Sequence, residues 1–366
     1  MPLVFFALCI AMFQARVVKP APANPPAQTS RPPLTPQEVA NLETAAASGD
    51  ATAQYKLALA YENGDGVPQD PKAAFEWCKK SADQGNAEAE TELGVMYRLG
   101  EGVAEDRQLA VQWYEKASRQ GNAVAMFDLG GAYYNGDGVE IDDSVSYAWF
   151  VLAKEAGDPQ AVPAVARAES ELPAWRITVG YKRLAQLCGD GKYAPENQVE
   201  SASWWLKAAE RGDQEAELGI ADKLLHGQGV PQDLSRARYW CNEAAKRGEP
   251  QGDYCLGYIY QRGLGVSADA KKARNWYEAG ADRNNVAAIR ALAQMDEAGE
   301  GSKVDLVGAF VWYAKLAVAN DKDAQQQIVR LRSKMSAKDW REVQKRLPRF
   351  HVDPGKLNAI LQSATN

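Results

Sequence analysis

Side chains able to do chemistry are sparse in this sequence. Two histidines, His226 and His351, stand among 366 residues, and neither has a Cys or a second His at metal-ligand spacing. His226 directly precedes a loop glycine, a place that Asn63, Leu99, Asn135 and Arg262 fill elsewhere, so it reads as a solvated loop residue. The loops NGDGVPQD, GEGVAED and NGDGVEIDD hold the Gly and Asp of phosphate or calcium sites. They lack the Lys-Ser/Thr of the first and the spaced oxygen ligands ending in Glu of the second. No S-x-x-K, S-D-N or K-T-G is present, so the parts of a serine acyl-enzyme are missing. These residues predict no catalytic site, no metal, no cofactor and no small-molecule substrate.

The cysteines carry one open question. Cys78 and Cys241 each follow a Trp, at a position filled elsewhere by Tyr114, Phe150, Trp205, Tyr277 and Tyr313, which is the signature of a packing position. Cys241 and Cys255 flank the Gly248 turn symmetrically, so antiparallel helices could bring them together in an oxidising compartment. Helical phase argues the other way, because it points Cys255 outward. The pair is either a disulfide or two separate thiols.

The elements that position these residues follow one period. Gly64, Gly100 and Gly136 are 36 residues apart, as are Gly66, Gly102 and Gly138, and Gly227, Gly263 and Gly299 keep the step. So do Trp77, Trp113 and Trp149, then Trp204, Trp240, Trp276 and Trp312, which count seven units. Such a period means stacked supersecondary units. In residues 85 to 121, Ala87, Ala89, Leu93, Gly94 and Tyr97 mark one face of a first helix. Gly100 and Gly102 can take positive φ and end it. Asp106 then caps a second helix with Ala110, Trp113 and Ala117 inside, and Asp70, Asp142, Asp233, Asp269 and Asp305 repeat the cap, with Asn197 as substitute. One unit cannot bury the Trp face alone, so stability comes from stacking.

The pattern A-x-A-x-x-x-L-G-x-x-Y-x-x-G-x-G-V, then D and A-x-x-W, resembles the Sel1-like repeat, a tetratricopeptide-like class, over about residues 49 to 345. The resemblance implies an all-α, right-handed α-solenoid used as an adaptor or scaffold in protein complexes. Cysteine-rich members are described as penicillin-binding or β-lactamase-like, but they carry periodic cysteine pairs that this chain lacks.

A second-order repeat is also legible. Trp149 to Trp204 is one period plus 19 residues, and the extra stretch is similar to the one that follows Trp312. Aligning Asp158 with Asp321 puts Ala161 on Ala324 and Leu172 on Met335, which marks two closing helix pairs. The expected organisation is a signal segment at 1–18, a proline-rich spacer at 19–36, a first array at 37–175, a second at 176–346 and a tail at 347–366. The fourth unit is degenerate, with Tyr193 in place of the second loop Gly, and a change of superhelix phase is expected there. Asp353-Pro354 opens a short tail helix.

Leu3 to Phe13 is an uncharged apolar run of signal-peptide length, too short to span a bilayer. No Lys or Arg precedes it, and Phe13 and Leu8 depart from cleavage and lipoprotein patterns. The reading is a bacterial protein exported to the periplasm or beyond, and not an integral membrane protein once the signal is removed. A net charge of −6 with no basic stripe argues against nucleic acid.

What remains for function is surface. Counting from the Gly that opens each unit, +2, +4, +8, +9 and +12 are packed, and +3, +7, +10 and +14 lie opposite. The resemblance implies that this stripe faces a concave groove. It comprises Thr52, Lys56, Leu59 and Asn63, then Glu88, Glu92, Val95 and Leu99, then Val124, Asp128 and Asn135. Apolar groups flanked by acids suit an amphipathic or extended peptide with basic flanks, unless the tail helix folds back into the groove. The second array offers the more polar Glu215, Asp222, His226, Gln251, Tyr258 and Arg262. The leading expectation is a non-enzymatic scaffold of the cell envelope that binds a protein or peptide. The alternatives are a peptidoglycan or glycan binder stacking sugars on Tyr55, Phe127 and Tyr134, and, more remotely, a β-lactamase-like hydrolase.

Overall fold

The computed structural model describes residues 33–363, and it is α-helical, with no strand among the described residues. The expected signal segment and the spacer up to residue 32 lie outside the described residues. Packing divides the chain into two compact units, one ending at Trp204 and the other beginning at Trp205.

The first unit holds α1 (Pro36–Ala47), α2 (Ala51–Asn63), α3 (Pro71–Ala82), α4 (Ala87–Leu99), α5 (Arg107–Arg119), α6 (Ala123–Asn135), α7 (Asp143–Glu155), α8 (Ala161–Glu171) and α9 (Ala174–Asp190). Each 36-residue unit is a hairpin of two 12- or 13-residue helices, here α2–α3, α4–α5 and α6–α7. Local chemistry sets every boundary. Asp70, Asp106 and Asp142 accept hydrogen bonds from the first amides of α3, α5 and α7, which would otherwise lack partners. Gly64, Gly100 and Gly136 end α2, α4 and α6 at φ of 71° to 78°. The second loop glycine has a different task. A Cβ on Gly102 would overlap the Pro71 carbonyl at the start of α3, so this glycine is what lets consecutive units close up. Inside the hairpins, Gly94 lies under the Tyr114 ring and Gly130 under Phe150, leaving no room for a methyl group.

The tryptophans tie units together as expected. Trp113 of α5 is buried in a cluster with Met96 of its own hairpin and Ala58 and Phe75 of the preceding one. A polar clasp repeats as well. Gln84 at the end of α3 donates to Gln54 of α2 at 2.7 Å, and Gln120 after α5 donates to Glu90 of α4 at 2.7 Å.

The array starts earlier than its period suggests. Thr35 and Glu38 form a capping box for α1, and the Leu34 amide donates to Asp65 at 2.8 Å. Leu34 and Thr35, read from composition as the end of a spacer, are therefore part of the fold. The closing pair α8 and α9 packs on α7, with Gly180 against the Tyr147 ring.

The helix α10 (Gln198–Glu210) carries the packing boundary: Trp204 stacks on Tyr181 at 5.4 Å in the first unit, while Trp205 lies against Gly219 in the second. The sequence repeat suggested a division at 175/176. By contact the division comes later, because α9 and the start of α10 bury Leu184, Cys188 and Ala194 in the core of the first unit.

The second unit continues with α11 (Gln214–His226), α12 (Leu234–Lys246), α13 (Pro250–Arg262), α14 (Ala270–Asp282), α15 (Val286–Ala298), α16 (Leu306–Ala317), α17 (Lys322–Arg332), α18 (Ala337–Arg346) and α19 (Pro354–Ser363). Asp233, Asp269 and Asp305 cap its second helices. The clasp returns in charged form, Arg247 on Glu217 and Arg283 on Asp253. Asp321 caps α17, and α19 buries Leu357 in the core of this unit, so the tail helix spends its apolar face here.

Candidate partner-binding groove

The predicted stripe of the first unit divides in two. Thr52, Lys56, Asn63, Glu88, Leu99 and Val124 are exposed, Leu99 at 47% and Val124 at 43%. Leu59, Glu92, Val95, Asp128 and Asn135 are half-buried, and Val95 packs against the core. The phase argument expected all of them to face outward. For Glu92 and Asp128 the difference comes from stacking: each sits beside the second helix of the preceding hairpin, across from the residue fourteen positions earlier. Glu92 thereby shares the electrostatic surroundings of Cys78, and Asp128 those of Tyr114.

Cys255 is the +7 residue of its own unit and follows the same rule. It is buried at 9% exposure rather than outward, and it is bonded to Cys241 with a Cα–Cα distance of 5.8 Å. Cys78 and Cys188 are buried free thiols, and Cys78 donates to the Ala89 carbonyl at 3.2 Å. His226 is exposed and sits against the Asp222 carbonyl at 2.9 Å, a helix-end contact.

Beside the stripe lies a cavity of about 200 Å³ between α6 and α8, floored by α7. Phe127, Tyr134, Tyr147, Phe150 and Leu172 give it apolar walls, and Asp128 and Asn135 bring the stripe into it. Arg98 and Arg167 stand at its edges. Arg98 donates to the Tyr114 hydroxyl at 3.3 Å, and Arg167 pairs with Glu171 at 2.9 Å. The stripe leaves out Arg98, Phe127 and Tyr134, of which Phe127 and Tyr134 entered the sequence reading only as glycan-stacking candidates. They occupy +13 and +6, only about 40–60° from +10 on a helical wheel, so widening the stripe by one residue on that side would have found them.

Burial dominates the titration of the stripe. Desolvation raises the Glu92 carboxyl to about 8, helped by Glu62, Asp128 and Glu101 and opposed by Arg98. Desolvation likewise raises Asp128 to about 7, against the field of Arg98 and with Asp158. Glu62 is also raised, and its Oε2 is buried without a hydrogen bond. Such carboxylates welcome a cation. Among the described residues no three His, Cys, Asp or Glu side chains form a metal-binding group.

With hairpins, caps, loop glycines and clasps in place, the sequence profile of the Sel1 repeat can be laid on them. It matches residues 51–86, 87–122, 123–158, 179–213, 215–249, 251–285 and 286–321. The chain belongs to the Sel1 repeat family. The fourth Sel1 unit, degenerate at Tyr193, is matched with the other six. Three solved structures are similar. A protective antigen present in uropathogenic Escherichia coli strains, displaying an SLR fold, is 30% identical over 88% of this chain with a TM-score of 0.45. The match spans 64% of that antigen's length. A Sel1 repeat protein from Oxalobacter formigenes is 27% identical, covering 81% of this chain and 80% of its own, with a TM-score of 0.38. A Sel1 repeat protein from Klebsiella pneumoniae is 20% identical, covering 58% and 95%, with a TM-score of 0.26. No curated protein matches the chain. Sel1 repeats are in general protein-interaction modules of a non-catalytic, scaffold kind. No helix among the described residues is long and apolar enough to cross a membrane.

Proposed function

We propose that this protein is a non-enzymatic adaptor of the bacterial cell envelope that holds a peptide segment of a partner protein along the α2, α4 and α6 stripe. The observation that carries the reading is the pairing of exposed Leu99 and Val124 with an apolar-walled cavity on the same side of the first unit. Exposed apolar residues scattered singly are ordinary, and it is their place beside an apolar-walled cavity that supports an interaction site. Export rests on the apolar run Leu3 to Phe13. An alkaline phosphatase fusion after residue 36 tests it, since activity requires passage across the membrane.

The binding test is affinity purification of the full chain from envelope extract beside a Leu99→Glu, Val124→Glu variant. Val95 is left alone, because it is packed against the core and its replacement would report on folding. Partners captured by the parent and lost from the variant support the adaptor. Equal capture by both places the interface elsewhere. Retention on insoluble peptidoglycan with no protein partner moves the glycan reading ahead.

A further inference from the structure

The cavity between α6 and α8 contains one group whose situation asks for a ligand. The Asp128 carboxyl is half-buried, lines the cavity and accepts no hydrogen bond from any described residue. Its charged neighbours are committed elsewhere. Asp137 holds Arg107 at 2.8 Å, Asp143 holds Arg176, Arg167 and Glu171 hold each other, and Arg98 donates to Tyr114. Arg98 supplies a field at Asp128 but no hydrogen bond, and that field does not offset the burial. A half-buried carboxylate with no donor from the protein is served by water alone, and an ammonium arriving with a ligand replaces that water with a charged donor.

The walls specify the rest of that ligand. Phe127 and Phe150 lie 5.3 Å apart, with Tyr134 and Tyr147 completing an aromatic lining. Aromatic faces attract a cation and pack against an alkyl stem. A volume of about 200 Å³ takes one side chain and not a stretch of backbone. For scale, an apolar cavity of ~150 Å³ accommodates benzene. Glu92 on the stripe and Glu62 next to its Asn63 extend the run of carboxylates without a hydrogen-bonded cation.

Resting on the adaptor reading, we infer that the cavity is a specificity pocket for a lysine side chain of the partner peptide: the stem lies against Phe127, Tyr134, Tyr147 and Phe150 and the ammonium donates to Asp128. Further basic residues of the peptide pair with Glu92 and Glu62. The segment recognised is therefore cationic. The groups that face Asp128 and set the pH response are Arg98, Asp158 and, through the stripe, Glu92. Binding of the ammonium ionises Asp128 and releases its proton, so affinity rises with pH until the carboxyl is ionised in the free protein as well.

The probe is a fluorescein-labelled, N-acetylated decapeptide of alanine and serine with three lysines, compared with the same peptide bearing acetyl-lysine or glutamate. Fluorescence anisotropy with the full chain at pH 8 is expected to show the lysine peptide binding at least tenfold more tightly than either comparison. Asp128→Asn removes at least tenfold of that affinity. It also flattens the rise expected between pH 6 and pH 8.5. Because Asn keeps the shape and removes a poorly solvated charge, the variant should melt no earlier than the parent, which separates lost recognition from lost folding. Equal binding of lysine and acetyl-lysine peptides, no binding of the lysine peptide, or an unaffected Asp128→Asn variant each overturns the inference. The adaptor reading is judged apart from it. Partner capture lost in Leu99→Glu, Val124→Glu stands with or without a lysine preference, and a lysine preference stands with or without that capture.

Discussion

Cys241 and Cys255 are joined across the α12–α13 turn, and the fourteen-residue step between them is the one that sets Asp128 beside Tyr114 and Glu92 beside Cys78. The disulfide is thus one chemical filling of a contact that every hairpin junction makes. Its loop is short, and a bridge closing about 15 residues contributes roughly 3 kcal/mol by restricting the unfolded chain. Reduction, or Cys241→Ser with Cys255→Ser, should lower the urea midpoint accordingly. Thiol counting checks the assignment independently. Burial pushes the Cys188 thiol up to about 12 and the Cys78 thiol further still. Among Cys78, Cys188, Cys241 and Cys255, a native protein should therefore show no reactive thiol, a denatured one two, and a denatured and reduced one four.

The interhelical clasp gives a second test. The first array runs Gln54–Gln84, Glu90–Gln120 and then the apolar Met126, and the second runs Glu217–Arg247, Asp253–Arg283 and then Ile289. Glu217 is 1% exposed at its side chain, so removing its cation leaves an unpaired buried carboxyl. Arg247→Ala should cost about 3–5 kcal/mol. The Glu217→Gln, Arg247→Gln double variant copies the neutral pair of the first array and should come within about 1 kcal/mol of the parent, because its amides satisfy each other. Urea unfolding of the three proteins decides it. A double variant as weak as Arg247→Ala would deny that the two clasps are equivalent.

Much of this was legible before any coordinates, and the reason is locality. Asp caps and loop glycines act on residues within a few positions of themselves, so a repeating sequence displays them repeatedly. What failed to show was set by neighbours in space. A wheel drawn for one helix places Val95, Asp128 and Cys255 outward, yet Val95 packs on the core that starts at Ala110, and Asp128 and Cys255 face Tyr114 and Cys241 of the preceding hairpins. α1 has no periodic partner, and only its entry, Leu34 to Pro36, was read as the end of a proline-rich stretch, although Thr35 and Glu38 carry a capping signature. The cavity needs α8, which lies outside the repeat, so no unit's pattern could announce it.

The second loop glycine of a hairpin should differ from the glycine between hairpins. Gly85 and Gly102 both sit at positive φ, at 83° and 71°, so an alanine pays roughly 1–2 kcal/mol at either place. Only Gly102 also meets a neighbour, the Pro71 carbonyl, where overpacking adds about 1–3 kcal/mol. Gly102→Ala should therefore unfold at clearly lower urea than Gly85→Ala. Similar midpoints would mean that the units do not need the close approach.

The acidic stripe makes stability depend on pH in an unusual direction. Glu92 and Asp128 bind protons in the folded protein up to about 8 and about 7, well above the range of the unfolded chain. Between those ranges the folded state holds more protons than the unfolded state, so stability falls as pH rises. The contribution is fully present below the ordinary carboxylate range and is lost by about pH 8. The urea midpoint should accordingly be higher at pH 5.5 than at pH 8.5. Asp128→Asn and Glu92→Gln remove the titrating groups while keeping their shapes, and each should take away on the order of 1–2 kcal/mol of that difference. Because the two carboxyls repel each other, the double variant should remove less than the sum. A midpoint that climbs from pH 5.5 to pH 8.5 would mean that both groups are ionised and well paired when folded. The pocket described above would then lack the unmet carboxylate on which lysine recognition depends.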